Sequence, residues 1–159
     1  MRSVKIVGLS GTGKTTLIHE VLERLPQAVP LGYSQLCAKH GPNMVDDAWR
    51  RELDKNHPLY LIDEHLEFGD GLLEERYREE NTAGIVHLVV SPPLLIERRL
   101  LDKCRQRDAG LERIRQENAL SEERARHLSA ALGLPLLFLY DERLETSVET
   151  LIQFIQHAG

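Results

Sequence analysis

Apolar and polar positions along the chain alternate between two rhythms. Short apolar runs of strand length are separated by longer stretches whose apolar residues recur every three or four positions. Ser3–Gly8 is the first run and predicts a buried strand. From Lys14 to Leu25, the residues Leu17, Ile18, Val21, Leu22 and Leu25 fall on one helical face, and Pro26 ends that helix. A short strand near Ala28–Leu31 and a helix near Tyr33–Lys39 follow, with "HGPN" as a break. "MVDDAWRRELDK" predicts another helix, and Leu59–Ile62 a compact apolar strand that ends in two acids. Gly71–Glu80 reads as a charged, exposed helix and Gly84–Val90 as the next strand. Pro92 and Pro93 open a helix running through Leu101 to about Arg107, and a second helix covers about Leu111 to Leu132. "LPLLFLY" is the last strand, and Val148, Leu151, Ile152 and Ile155 mark a closing amphipathic helix.

Strands alternate with helices throughout, so the pattern predicts an α/β fold: a five-stranded parallel sheet covered by helices on both faces in three layers. In such sheets ligands bind beyond the carboxyl ends of the strands. That edge gathers two motifs here.

The first is "VGLSGTGKTT", in which Gly8, Gly13, Lys14 and Thr15 fit G-x-x-x-x-G-K-[ST] without a mismatch. It follows a predicted strand and opens a predicted helix, as a phosphate-binding loop must. Backbone N–H groups of Ser10, Gly11, Thr12, Gly13 and Thr16 would face phosphate oxygens, helped by the helix N-terminus. Lys14 would reach the β- and γ-phosphates, and the Thr15 hydroxyl would hold Mg²⁺. The expectation is a nucleoside triphosphate site.

The second is "LYLIDEH", four apolar residues followed by Asp63 and Glu64. Asp63 at a strand tip is placed to orient Mg²⁺, through water or through Thr15. Glu64 has three readings: polarising an attacking water, sitting near an acceptor, or merely facing solvent. His65 follows as a candidate for the cleft.

Further along, "ERRLLDKCRQRD" concentrates Arg98, Arg99, Arg105 and Arg107 within ten positions. Phosphoryl transfer needs cations over the oxygens of the moving group, and the planar guanidinium holds two oxygens at once. The competing reading is a solvated helix face.

Composition narrows the class. A chain of 159 residues with 42% hydrophobic and 28% charged residues fits a folded domain spanning 1–159, neither disordered nor fibrous. No apolar run approaches the roughly 20 residues of a membrane helix. The first strand begins at once, which leaves no room for a signal peptide. The two cysteines, Cys37 and Cys104, are far apart without metal-ligand spacing, which predicts a reducing, cytoplasmic setting. A net charge of −5 argues against non-specific nucleic-acid binding.

"RRLLDKCRQRD" and the phosphate loop together make the chain resemble the archaeal-type adenylate kinases, a branch of the P-loop nucleoside monophosphate kinases. The resemblance implies a sheet order of 2-3-1-4-5, a monophosphate-binding region at about 32–57 and a short lid at about 98–110. It implies that Arg98 lies against the adenine and ribose of ATP, and that Arg105 and Arg107 clamp the phosphates during transfer. Arg50, in "DDAWRREL", would hold the phosphate of AMP, with Arg51 as the alternative register. Tyr140–Asp141 would pass the adenine, and family members also allow a homo-oligomer. One departure stands out. "DEHLEFGDGLL" keeps Asp63 and His65 but places Phe68 and Gly69 where the family presents an arginine near the monophosphate.

The expected activity is therefore Mg–ATP-dependent phosphoryl transfer to a nucleoside monophosphate, AMP first among them. Two alternatives stay open: a kinase for another small acceptor, and an ATPase or nucleotide switch that uses Asp63 and Glu64.

Overall fold

The computed structural model describes residues 1–66, 72–102, 109–140 and 143–158. Five strands form one parallel sheet: β1 (Ser3–Val7), β2 (Ala28–Gly32), β3 (Leu59–Glu64), β4 (Thr82–Leu88) and β5 (Leu136–Leu139). Their order is β2-β3-β1-β4-β5, as the resemblance implied. Among the described residues seven helices connect and cover them: α1 (Lys14–Arg24), α2 (Tyr33–His40), α3 (Val45–Asp54), α4 (Leu73–Glu79), α5 (Pro92–Leu101), α6 (Leu111–Leu132) and α7 (Leu144–His157).

Side chains of a strand alternate between the two faces, and the two faces here differ in character. Val4 and Ile6 of β1, Leu59 and Leu61 of β3, and Val86 and Leu88 of β4 pack with Leu17, Val21, Val148 and Leu151 of α1 and α7 in an apolar core. Each such side chain, fully buried, contributes about 1.5–3 kcal/mol relative to exposure. On the opposite face Val7 and Ile85 meet Tyr77 of α4 and Ala125 and Leu128 of α6. Tyr60 and Ile62 there lie under Trp49 and Leu53 of α3. That second face also buries charge, because Lys5, in the middle of β1, is fully shielded from solvent.

Several boundaries differ from the sequence reading. Strand β4 starts at Thr82, two residues before the glycine expected to open it. Helix α5 ends at Leu101, and Asp102 is extended (φ −74°, ψ 100°). The helix expected to be exposed over Gly71–Glu80 is α4, and Leu73, Tyr77 and Glu80 are buried. Spacing explains this: the three residues fall at i, i+4 and i+7 and share one face.

Beyond the strand ends, the sheet order places the β1–α1 loop between the tips of β3 and β4. Ile6 pairs with Asp63 and Val7 with Glu64 in the β1–β3 register. The acids of β3 are thereby fixed beside the glycine loop.

Candidate active site

The loop from Gly8 to Gly13 turns through three glycines with positive φ, Gly8 (147°), Gly11 (94°) and Gly13 (95°). Gly8 is also constrained by space, since a Cβ there would lie 2.8 Å from the carbonyl oxygen of Leu88. Gly13 adopts the left-handed conformation immediately before α1, which ordinary residues enter at a cost of about 1–2 kcal/mol. The Thr12 hydroxyl donates to the Leu9 carbonyl (2.8 Å) and closes the loop from within.

Lys14 folds back over this loop. Its Nζ donates to the carbonyls of Gly8 (2.7 Å) and Leu9 (3.2 Å), and the residue is 5% exposed. It also lies 3.6 Å from Asp63 Oδ1. The Thr15 hydroxyl donates to Asp63 Oδ2 at 3.2 Å. The three residues that the motifs assign to phosphate and metal are therefore assembled at one point.

Asp63 Oδ1 is buried and accepts no hydrogen bond. An anionic oxygen in that condition, beside a hydroxyl and a glycine-rich loop, fits a hard divalent cation. Among the described residues no cluster of three or more His, Cys, Asp or Glu side chains gathers to hold a metal. A cation here would accordingly rest on Thr15, Asp63 and phosphate oxygens, the mixed ligation that Mg²⁺ prefers at nucleotide sites.

Glu64 points elsewhere. One residue further along β3, it emerges on the opposite sheet face, where its Oε1 pairs with Arg76 of α4 and its Oε2 lies 3.8 Å from Lys5 Nζ. Lys5 in turn donates to Glu80 Oε2, and Glu80 Oε1 accepts from the indole N–H of Trp49 at 2.9 Å. The Lys5 ammonium stands over the Tyr77 ring, 4.5 Å from its centroid. Burial pushes Lys5 from 10.5 down to about 8, against the attraction of Glu80. Burial also raises the phenol of Tyr77. The reading of Glu64 as a solvated acid is corrected by this geometry: its side chain is 11% exposed and bound by two cations.

From the other side, α5 sends two consecutive arginines to the loop. Arg98 Nη1 donates to the Thr12 carbonyl at 3.4 Å, and Arg99 Nε donates to the Ser10 carbonyl at 3.1 Å. Arg98 is exposed along the cleft, whereas Arg99 is buried and reaches Glu117 of α6 with Nη2 (3.4 Å). The sequence groups Arg99 with the other arginines of the basic run without assigning it to the loop; adjacency in sequence does not report which arginine points inward. The expected lid arginines Arg105 and Arg107, together with Cys104, lie outside the described residues, as do Phe68, Gly69 and Asp141.

The loop forms a wall shared by two hollows. The larger, about 660 Å³, opens between Arg98, Leu101, Val89 and Tyr140, where the resemblance placed adenine and ribose. The smaller, about 270 Å³, holds Lys14, Thr15, Asp63 and His65 together with Ser34 and Gln35 at the start of α2. Gly11, Gly13 and Thr16 line both, and Ser10 lines the smaller one. Arg50 is not brought to either. It lines a separate exposed hollow on α3 with Met44, Asp47 and Arg51. Trp49, the residue before it, turns inward to pack on Tyr60 and Ile62 and stands 6.4 Å from the Tyr33 ring.

No protein-family model and no curated protein matches this sequence. Solved structures do match. The chain is similar to shikimate kinase from Bacteroides thetaiotaomicron at 18% identity and TM-score 0.61, covering 97% of this chain and 98% of that one. It is similar to shikimate kinase from Acinetobacter baumannii, solved with shikimate, at 17% identity and TM-score 0.69, over 97% and 92% of the two chains. Deoxyadenosine kinase from M. mycoides, solved with the products dCMP and dCDP, matches at 17% identity and TM-score 0.61, over 97% and 98%. At this identity the likeness establishes architecture: the chain has the fold of the P-loop kinases, a five-stranded parallel sheet in the order 2-3-1-4-5.

Proposed function

We propose that this chain transfers the terminal phosphoryl group of Mg–ATP to a small acceptor, and that the acceptor is AMP. The observation that carries the proposal is the shared wall: one glycine loop, with Lys14, Thr15 and Asp63 at its mouth, separates a large hollow from a small one. A transferase needs a donor site and an acceptor site meeting at the phosphate that moves. Structures of the same fold that hold shikimate or deoxycytidine nucleotides support a small acceptor.

In this reading the larger hollow takes the adenosine of ATP, with Arg98 along its side. Loop amides and Lys14 cradle the phosphates, while Thr15 and Asp63 hold the cation. Bound Mg²⁺ supplies positive charge to the donor phosphates. An oxygen of the AMP phosphate attacks the terminal phosphorus, a new P–O bond forms, and the bond to the bridging oxygen breaks to release ADP. The attacking oxygen is already ionised at neutral pH, so no general base is required, and positioning and electrostatics carry the catalysis. Arg105 and Arg107 are proposed to follow the transferring group, and Arg50 to hold the AMP phosphate. Closure of the 98–110 segment would exclude water.

A second reading, another small acceptor, is favoured by one observation. Among the described residues lining the smaller hollow there is no arginine; outside the phosphate loop and Asp63, its polar side chains are Ser34, Gln35 and His65. Such donors suit hydroxyl groups as well as phosphate. The reading as a water-activating ATPase finds less support, because Glu64 is engaged by Arg76 and Lys5 on the other sheet face.

Incubation with γ-labelled Mg–ATP and each nucleoside monophosphate in turn, followed by chromatography, tests the proposal. Label appearing in ADP with AMP supports it. Label released only as inorganic phosphate, whatever is added, overturns it.

A further inference from the structure

Arg99 occupies an unusual position for a charged residue on a helix flanking the cleft. It is 6% exposed, and its guanidinium lies between the phosphate loop and α6. Nε donates to the Ser10 carbonyl at 3.1 Å, and Nη2 reaches Glu117 Oε2 at 3.4 Å. Glu117 is itself steadied by Arg113, whose Nε donates to Oε1 at 3.0 Å. Directly beside this bridge, Leu9, Leu95 and Ile114 form a small apolar core that joins the loop, α5 and α6. Burying a guanidinium is unfavourable unless its donors are matched. Here two of its donors are matched by the loop carbonyl and the α6 carboxylate.

The peptide unit explains what such a bridge accomplishes. A trans amide is planar, and its C=O and N–H point to opposite sides. With the Ser10 carbonyl held by Arg99, the N–H of Gly11, in the same plane, points away from the guanidinium, and Gly11 lines both hollows. Arg98 does the same two residues on, since it holds the Thr12 carbonyl and so fixes the amide of Gly13. The intervening glycines have positive φ and little intrinsic preference to keep these peptides in one orientation.

We infer that Arg99, braced by Glu117, is a positioning residue that orients the Gly11 amide of the phosphate loop for polyphosphate. It touches no substrate. The inference rests on the proposed nucleotide site and adds to it a device outside the motif: α6 sets the direction of the Gly11 amide through the buried Arg99 guanidinium. The rival account is that Arg99 only packs α5 against α6. In that case its loss would harm stability without distinguishing phosphate from nucleoside.

Three probes separate these: Mg–ATP, inorganic tripolyphosphate and adenosine, titrated calorimetrically into wild type, Arg99→Met, Arg99→Lys and Glu117→Gln, with thermal melting of each protein. Loss of one charge-assisted hydrogen bond corresponds to about tenfold in affinity. Arg99→Met should therefore weaken Mg–ATP and tripolyphosphate about tenfold and leave adenosine unchanged. Arg99→Lys should recover part of the loss, because an ammonium still reaches a carbonyl. Glu117→Gln, which keeps the guanidinium but loosens its brace, should weaken the two phosphate probes by about threefold. Should Arg99→Met not fold, Arg99→Lys and Glu117→Gln decide the matter by the same readouts. Folded variants that bind all three probes like wild type, or that lose adenosine and tripolyphosphate alike, overturn the inference. Wild type failing to bind either phosphate probe would instead overturn the nucleotide site on which the inference depends.

Discussion

The Thr15 hydroxyl donates to Asp63 Oδ2 at 3.2 Å, joining the first turn of α1 to the tip of β3. Forty-eight residues separate them in sequence, and the parallel pairing of β1 with β3 brings them together. The contact leaves Asp63 Oδ1 buried without a hydrogen bond, 3.6 Å from Lys14 Nζ. Cation binding should therefore depend on Asp63 more than on any other carboxylate. Asp63→Asn keeps the shape and removes the charge. It should lower kcat/KM for Mg–ATP by about 10–100-fold and raise the Mg²⁺ concentration needed for half-maximal rate. A steady-state magnesium titration of both proteins checks this, and an unchanged magnesium requirement would place the cation elsewhere.

Glu64 behaves differently because alternation along β3 puts it on the opposite face. Glu64→Gln removes a partner from Arg76 and Lys5, so it should cost about 1–3 kcal/mol of stability in urea melts. Turnover should stay within a few-fold of wild type. Collapse of ATP consumption with stability intact would restore Glu64 as the residue that activates water.

Lys5 gives a pH signature. Its folded value of about 8 lies below its ordinary 10.5, burial being the larger cause. Between those two values the unfolded chain holds a proton that the folded chain has released, so this group makes stability rise as pH increases across the window. Below about 8 both states are protonated and the contribution is flat. The stability of wild type minus that of Lys5→Met, measured by urea melts from pH 7 to about 10.5, should accordingly climb above pH 8. A difference that stays flat up to about 10.5 would mean that the attraction of Glu80 keeps Lys5 protonated against burial.

Arg50 tests the identity of the acceptor. If α3 brings it to the AMP phosphate during transfer, Arg50→Ala should raise KM for AMP about tenfold and leave KM for Mg–ATP unchanged. Arg51→Ala serves as the adjacent-register comparison, since its Nε already donates to the Asp47 carbonyl. A null result for both would leave Ser34, Gln35 and His65 as the acceptor contacts.

Sequence pattern reached the sheet and the phosphate loop because each rests on local rules. Gly8, Gly13, Lys14 and Thr15 form a contiguous motif, and the runs around Ile6, Leu61 and Val86 mark buried strands directly. It did not reach the ion network behind β1. A single lysine inside "SVKIV" gives no local sign of burial, and its partner Glu80 is 75 residues away. The division of labour between Arg98 and Arg99 was hidden for a similar reason. Both belong to one basic run, and only the packing of α5 on α6 decides which guanidinium turns under the loop and which lines the cleft.

The most direct measurement is nucleotide turnover by chromatography, with Mg–ATP alone and with Mg–ATP plus AMP. Two ADP formed for each AMP consumed, with little ATP lost when AMP is omitted, is the expected result. ATP loss that proceeds at the same rate with or without AMP, yielding inorganic phosphate, would contradict transfer to AMP.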